Sequence, residues 1–396
     1  MIDLQSARQV ILASCPVLAP RSLPLLDALG CVTSGTVVAG HDVPSFANSA
    51  MDGFAARAAD TPGTLEVVGT TAAGAAPAEG VGPGQAVRIM TGAAVPDGAD
   101  AVVMVERTSP AGEGKVAVDV AATPGDHIRL PGEDLRAGQV LFDPGTQLGP
   151  GHLGVLASVG AESVEVFPPA RVGVLSTGDE LVSGPGQLRP GQIRDSNRPM
   201  LLALVRQAGC VPVDLGTAPD DEAAITAAIE RGVTECDAIL TSGGVSVGDF
   251  DYVKTVLDRL GEMHWWQVAV KPAKPLAFGT VGGTPVFGLP GNPVSSLVSF
   301  ELFARPALRQ MTGHRELFRP EVPAVADEPF VRRPDGKLHL VRVLATVDDE
   351  GRVHVRSSGG QGSHLLRAMA LANALALLPD GEGVHTGATV KAMLLT

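Results

Sequence analysis

The chain lacks most of the residues that would give it a simple identity. Four of its 396 residues are cysteine, Cys15, Cys31, Cys210 and Cys236. They stand far apart with no CxxC pair, which argues against a disulfide framework and a thiolate zinc site and leaves them as small apolar residues. Aromatics make up 4%, so the cores must be built from Val, Leu, Ile and Ala. Lysine and arginine never form a block, and the formal charge is −13, which argues against nucleic acid or an anionic membrane as partner. No apolar run is long enough to span a bilayer. The N-terminus, MIDLQSARQVILASCPVLAP, has an acid at position 3 and no basic region ahead of an apolar segment, so a cytoplasmic protein is the expectation. GxSxG, HExxH and Walker-A patterns are also missing.

What is present is 45% hydrophobic residues with 48 Gly and 31 Pro, enough for two to four domains rich in turns and short strands. Residues 3 to 14 read as an amphipathic helix capped by Asp3. PSFANSAMDGFA then forms a polar turn in which Asn48, Ser49, Asp52 and Gly53 cluster. From Leu65 to Phe167, short β-type runs (LEVVG, AVRIMTG, AVVMVE, VAVDV, HIRL, ESVEVF) alternate with turns; two of these turns carry Thr91 and Asp134.

At Arg171 the texture changes to alternating strands and helices, which predicts a parallel sheet. RVGVLSTGDE supplies a strand and a loop with Glu180. The helix after it has Asn197 as its expected N-cap. VPVDLGTA leads to Asp220, and ECDAILTSGG ends in Ser242, Gly243 and Gly244, followed by Ser246, Asp249 and Asp251. Alone, the Gly-Gly step reads first as a tight turn. Ligands, however, sit at the carboxyl ends of such strands, where glycines admit an anion to the backbone and acids can hold a hard cation. Lys271 and Lys274 bracket a proline in an extended segment and read either as a pair facing a cleft or as solvated surface. Pro290, Gly291, Asn292 and Pro293 open a helix that Asn292 can cap, with its first N–H groups left for an anion. From Pro320 a hairpin, KLHLVRVLATVDDEGRVHVRSS, and the strand in HTGATVKAML predict a small β-domain. On local grounds Arg342 and the turn GQGSH, with Ser363, read as structural.

PSFANSAMDGFA (44 to 55), RIMTGAAVPDGADAVVMVE (88 to 106), RLPGEDLRAGQVL (129 to 141), GVLSTGDEL (173 to 181), TSGGVSVGDFDY (241 to 252), VKPAKPLAFG (270 to 279), GLPGNPVSS (288 to 296) and GQGSH (360 to 364) together resemble the MoeA family, the molybdopterin molybdenumtransferases related to the gephyrin E domain. The blocks cover nearly the whole chain in the family's order. The resemblance implies a multidomain α/β plus β fold: an N-terminal region over 1–168 with a β-rich lobe inserted at about 45–140, a three-layer molybdopterin-binding α/β domain over 169–313, and a C-terminal β-barrel over 320–396. It implies a homodimer whose active cleft lies at the subunit interface, with a molybdopterin adenylyltransferase and molybdoenzymes as further partners.

The implied reaction cleaves adenylylated molybdopterin with release of AMP and places molybdenum from molybdate on the dithiolene sulfurs, with Mg2+ or another divalent cation. The roles carried over put Glu180 and Asp251 at the metal or ligand, with Asp220 a weaker third. Lys271 and Lys274 fall to the oxyanions, and Asp52, Thr91 and Asp134 to the opposing wall. Ser242, Gly243, Gly244, Ser246 and Pro290 to Pro293 fall to the pterin phosphate, with Arg342 and Ser363 added from the barrel. Two departures stand out. Gln267 replaces a lysine often found four residues before Lys271, and Ala273 stands where glycine is usual. Two alternatives are an adenylyltransferase acting one step earlier, which would not need the N-terminal lobes or the barrel, and a non-catalytic molybdopterin-binding scaffold.

Overall fold

The structure is a computed structural model that describes residues 1–76, 80–244 and 252–395. The chain divides into two compact units. One comprises Met1–Arg21, Gly30–Ser34 and Glu165–Thr396; the other comprises Ser22–Leu29 and Gly35–Val164.

The first unit is built on a six-stranded sheet of β1 (Arg171–Thr177), β2 (Val211–Ala218), β3 (Ala238–Ser242), β4 (Gly261–Gln267), β5 (Pro275–Val281) and β6 (Thr284–Leu289), in the order β2-β1-β3-β6-β5-β4. The first four of that order run parallel, while β5 and β4 close the sheet antiparallel. All five residues of β3 and six of the seven in β1 are buried, which is why these strands read as continuous apolar runs. Successive side chains still part to opposite faces. Val172, Val174, Leu240 and Phe287 enter one core, and Leu175, Ile239 and Val286 the other.

Helices cover both faces. α1 (Asn197–Gln207) packs Leu201 and Val205 into the first core, four residues apart as a helix stripe requires. Gly209 follows it at φ +82, the left-handed turn that ends the helix. α2 (Glu222–Glu235), capped by Asp221 accepting the Ala224 N–H at 2.8 Å, packs Ile225 and Ile229 into the second core. α3 (Tyr252–Leu260) joins it there. α4 (Pro293–Ser299) returns to the first core and continues through a π-helical turn into Arg305–Met311. The N-terminal helix Leu4–Ala13 buries Ala7 and Ile11 in that same core. Its cap is the expected one, Asp3 accepting the N–H groups of Gln5 and Ser6.

Leu338–Val347, Val353–Ser357, Glu321–Ala326, Thr389–Leu394 and Ala374–Leu378 pair in a closed ring, because the first and last of these also bond to each other. Five strands enclose little space, and the interior is accordingly filled with Ala324, Ala326, Ala374, Ala376 and Ala392 beside Val343, Val355 and Val390. A short strand, Val270–Lys271, adds to the ring in parallel with Leu338 and His339.

The second unit holds another six-stranded sheet, made by Ala101–Met104, Gly53–Ala56, Gln85–Ile89, Gly63–Thr71, Lys115–Val118 and Thr108–Pro110 in that spatial order, together with the helix Pro150–Ser158. Ala55, Ile89 and Val102 pack on one side of the sheet, and Phe54, Ala86 and Val103 on the other.

Candidate active site

The parallel strands end at Thr177, Ala218, Ser242 and Leu289, so the loops that follow lie along one edge. The order β2-β1-β3 makes the gap between β1 and β3 a topological switch point, where open α/β sheets bind ligands. Gly243 sits in this gap at φ +102, and a side chain there would approach the Thr177 carbonyl oxygen at 3.0 Å. Only glycine lets the two backbones come so close. The Gly243 N–H donates to Leu289 O at 3.1 Å, fastening the loop to the end of β6.

The loops after β1 and β2 meet through the Asp220 N–H, which donates to Asp179 Oδ1 at 3.1 Å. This gathers Asp179, Glu180 and Asp220 in one exposed acidic corner. Ser246 and Asp251, the other acid assigned to a metal, lie outside the described residues, as does Asp249.

Lys271 and Lys274 both line a cleft of about 1030 Å3 in this unit, together with Ser295, Gln361, Gly362 and Ser363. Its barrel-side wall carries Arg332, Arg333, Lys337 and His339. Arg332 is matched by Asp335 and Asp380, and Lys337 by Asp335. Lys271 and Lys274 make no ion pair among the described residues. Arg333 makes none either, so three positive charges of the cleft stand without an ion-pair partner among the described residues, in a lining that also carries the hydroxyls of Ser295, Ser357 and Ser363.

Arg342 does not line the cleft. It is fully buried and donates to the carbonyls of Gly360 and Gly362 at 2.8 and 3.2 Å, while Gln361 bonds its backbone in both directions. It thus braces the loop that presents Ser363. Burial lowers its pKa, and its Nε and Nη1 find no partner among the described residues.

Asn292 occupies the N-cap position of α4, yet its side chain makes no capping bond. The expected free N–H groups are reduced as well: Pro293 has none, and the Val294 N–H donates to Ser363 O at 3.2 Å. That bond ties the Gly291-Asn292 turn to the cleft. Asn197 also departs from expectation. It is the first residue of α1 rather than its cap, and its Nδ2 donates to Ser242 Oγ and Gly291 O, both at 2.7 Å. Gln267 ends β4 opposite Pro275 and lies beside the cleft, not in its wall. Ala273 takes φ +78, the left-handed conformation that favours glycine.

Asp52, Thr91 and Asp134 belong to the second unit and are exposed. Asp52 accepts the Thr91 N–H and hydroxyl, which lowers its pKa, with a smaller contribution from Arg88. Among the described residues no hydrogen bond or ion pair joins Asp134 to that pair.

Sequence reasoning did not single out Asn197 as a site residue, nor Ser295 or His339. Ser295 stands in the quoted block GLPGNPVSS, and its place two residues into α4 was the available signal.

Residues 2–160 match the MoeA N-terminal region (domain I and II), residues 173–310 a probable molybdopterin binding domain, and residues 326–395 the MoeA C-terminal region (domain IV). A molybdopterin molybdenumtransferase of Haemophilus influenzae is 38% identical over 394 residues, covering 98% of each chain. Molybdopterin molybdenumtransferase 2 of Mycobacterium tuberculosis is 42% identical over 393 residues, covering 96% of each. The crystal structure of a molybdopterin biosynthesis MoeA protein from Pyrococcus horikoshii superposes with a TM-score of 0.81 at 29% identity, covering 100% of this chain and 99% of that one. Relatives this similar over their full length establish that the chain belongs to the MoeA family.

Proposed function

We propose that this protein is a molybdopterin molybdenumtransferase, which takes adenylylated molybdopterin and molybdate, cleaves the pyrophosphate link with release of AMP, and forms molybdenum cofactor. The observation that carries this reading within the structure is the cleft in which Lys271 and Lys274, without acidic partners among the described residues, stand beside Ser295 and Ser363. Such a site suits a small tetrahedral oxyanion.

Each residue set has a task the chemistry needs. The two ammonium groups draw molybdate in and offset its charge. Ser242, with the Gly243–Gly244 and Pro290–Pro293 backbones, holds the pterin phosphate at the switch point. Breaking a pyrophosphate moves negative charge onto the leaving phosphate, so fixed positive charge lowers the barrier. Asp52, Thr91 and Asp134 belong to the proposal as the wall supplied by a second copy of the chain in a homodimer. The division into a two-part N-terminal region, an α/β domain and a barrel belongs to it also. A molybdopterin adenylyltransferase as donor, molybdoenzymes as recipients and a cytoplasmic setting complete the reading; no helix among the described residues is long and apolar enough to cross a membrane.

Mg2+ or another divalent cation enters through the hard oxygen donors of Glu180 and Asp251 and would stabilise charge on the pyrophosphate when bound. Among the described residues, no group of three His, Cys, Asp or Glu side chains is close enough to hold a metal ion. The steps above therefore rest on the lysines, hydroxyls and backbone donors. The test is AMP release from adenylylated molybdopterin with molybdate, before and after chelation of divalent cations. Release that requires molybdate and cation and disappears in Asp251→Ala supports the proposal; binding without release rejects it in favour of a scaffold.

A further inference from the structure

The segment Asp195-Ser196-Asn197 leads into α1 at the ligand edge of the sheet, and two of its side chains reach the ends of all four parallel strands. The Asp195 carboxylate, 1% exposed, accepts from Ser176 Oγ on β1 at 3.2 Å and from Thr217 Oγ1 on β2 at 3.1 Å. Two residues later, Asn197 Nδ2 reaches Ser242 Oγ at the end of β3 and Gly291 O in the turn after β6. Asn197 is 9% exposed, and its Oδ1 finds no partner among the described residues.

Proton counting fixes what these bonds do. A side-chain amide has two N–H protons, and Asn197 spends one on each partner. Ser242 Oγ is therefore an acceptor toward Asn197, and its own proton is left for a partner other than the amide. A helix cap would need none of this, and Asn197 caps nothing.

We propose that Asn197 is a positioning residue: it sets the spacing between the Gly243–Gly244 loop and the Gly291 turn, and it turns the Ser242 hydroxyl into a donor for a phosphate oxygen of the bound pterin. Asp195 performs the matching task for β1 and β2 and so anchors the start of the helix that carries Asn197. The orienting half of this inference rests on the reading that this edge holds molybdopterin; the spacing half does not.

The test separates the two. In ligand-free protein, Asn197→Ala speeds hydrogen exchange at the Gly243 amide about tenfold, the loss of one or two hydrogen bonds, while Val174 in mid-strand is unchanged. Asn197→Asp keeps the size of the side chain but takes the Ser242 proton instead of donating to it, and it loses the bond to Gly291 O. It weakens molybdopterin binding by about tenfold and leaves kcat at saturating substrate within about twofold. In a Ser242→Ala background the part of that loss owed to the hydroxyl disappears and only the part owed to the Gly291 carbonyl, which a carboxylate cannot donate to, remains, so the two changes combine to less than the product of their separate effects. Unchanged exchange at Gly243 in both variants overturns the spacing role. Full multiplication of the Asn197→Asp and Ser242→Ala effects overturns the orienting role. Wild-type protein that binds no molybdopterin rejects the pterin reading of this edge, and with it the orienting role, while the exchange result still decides the spacing role.

Discussion

The carboxylate of Asp52 accepts two hydrogen bonds from a single residue, the Thr91 backbone N–H at 2.7 Å and the Thr91 hydroxyl at 2.8 Å. Both bonds favour the ionised form and hold Asp52 below the usual carboxylate range. The hydroxyl proton of Thr91 is thereby committed, so toward any ligand Thr91 offers lone pairs. In Thr91→Val the backbone bond survives and the hydroxyl bond is lost. The Asp52 pKa should then rise part of the way toward its ordinary value, as a carboxyl NMR titration would show. An unshifted titration would mean the hydroxyl contributes nothing. Because the folded pKa is depressed, the stability Asp52 contributes is present above the ordinary carboxylate pKa and is lost as pH falls through the folded value.

Ala273, between the two cleft lysines, adopts φ +78. A methyl group in that conformation costs about 1–2 kcal/mol, and glycine gives back under about 1 kcal/mol through its more flexible unfolded chain. Ala273 is also 2% exposed within the first core, so glycine gives up a buried methyl group worth about 0.8 kcal/mol, and Ala273→Gly should leave stability within about 1 kcal/mol of wild type in chemical denaturation. A loss well beyond about 1 kcal/mol would contradict the strained backbone.

Lys271→Ala and Lys274→Ala should each weaken molybdate binding by about ten- to a hundredfold, the range for a charged hydrogen bond. Titration calorimetry with molybdate reads this directly. Wild-type affinity in both variants would remove the cleft as the oxyanion site.

On the barrel strand Val353–Ser357, His354 lies between Asp327 at 2.7 Å and Asp348 at 3.1 Å. These carboxylates raise its pKa, the bond to Asp327 most. A raised folded pKa means the imidazolium's contribution is fully present below its ordinary value near 6.5 and is lost as pH rises through the folded value. Unfolding midpoints measured across that window should fall with pH in wild type and flatten in His354→Gln. Equal slopes would show the cluster to be inert.

How much of this was legible in the sequence depended on whether the signal was local. β1 and β3 are legible because burial on both faces demands continuous apolar runs, and the barrel hairpin because its strands alternate about a short turn. β4 and β5 were missed as a pair: GEMHWWQ is half-exposed and mixed in character, and its antiparallel place at the sheet edge is set by its partner. Asn197 was misread for the same reason. An asparagine ahead of a helix looks like a cap, and nothing nearby shows that its bonds go to residues 45 and 94 positions away. Arg342 looked like a lone polar residue in a strand, because the loop it braces folds back from 18 to 20 residues later.

The most direct measurement is the molybdenum bound to pterin after a single turnover, set against the AMP released. With adenylylated molybdopterin, molybdate and Mg2+, transferase activity predicts one molybdenum incorporated for each AMP released, and the loss of both in a Lys271→Ala, Lys274→Ala double variant. AMP release without molybdenum on the pterin, or undiminished incorporation in the double variant, would contradict it.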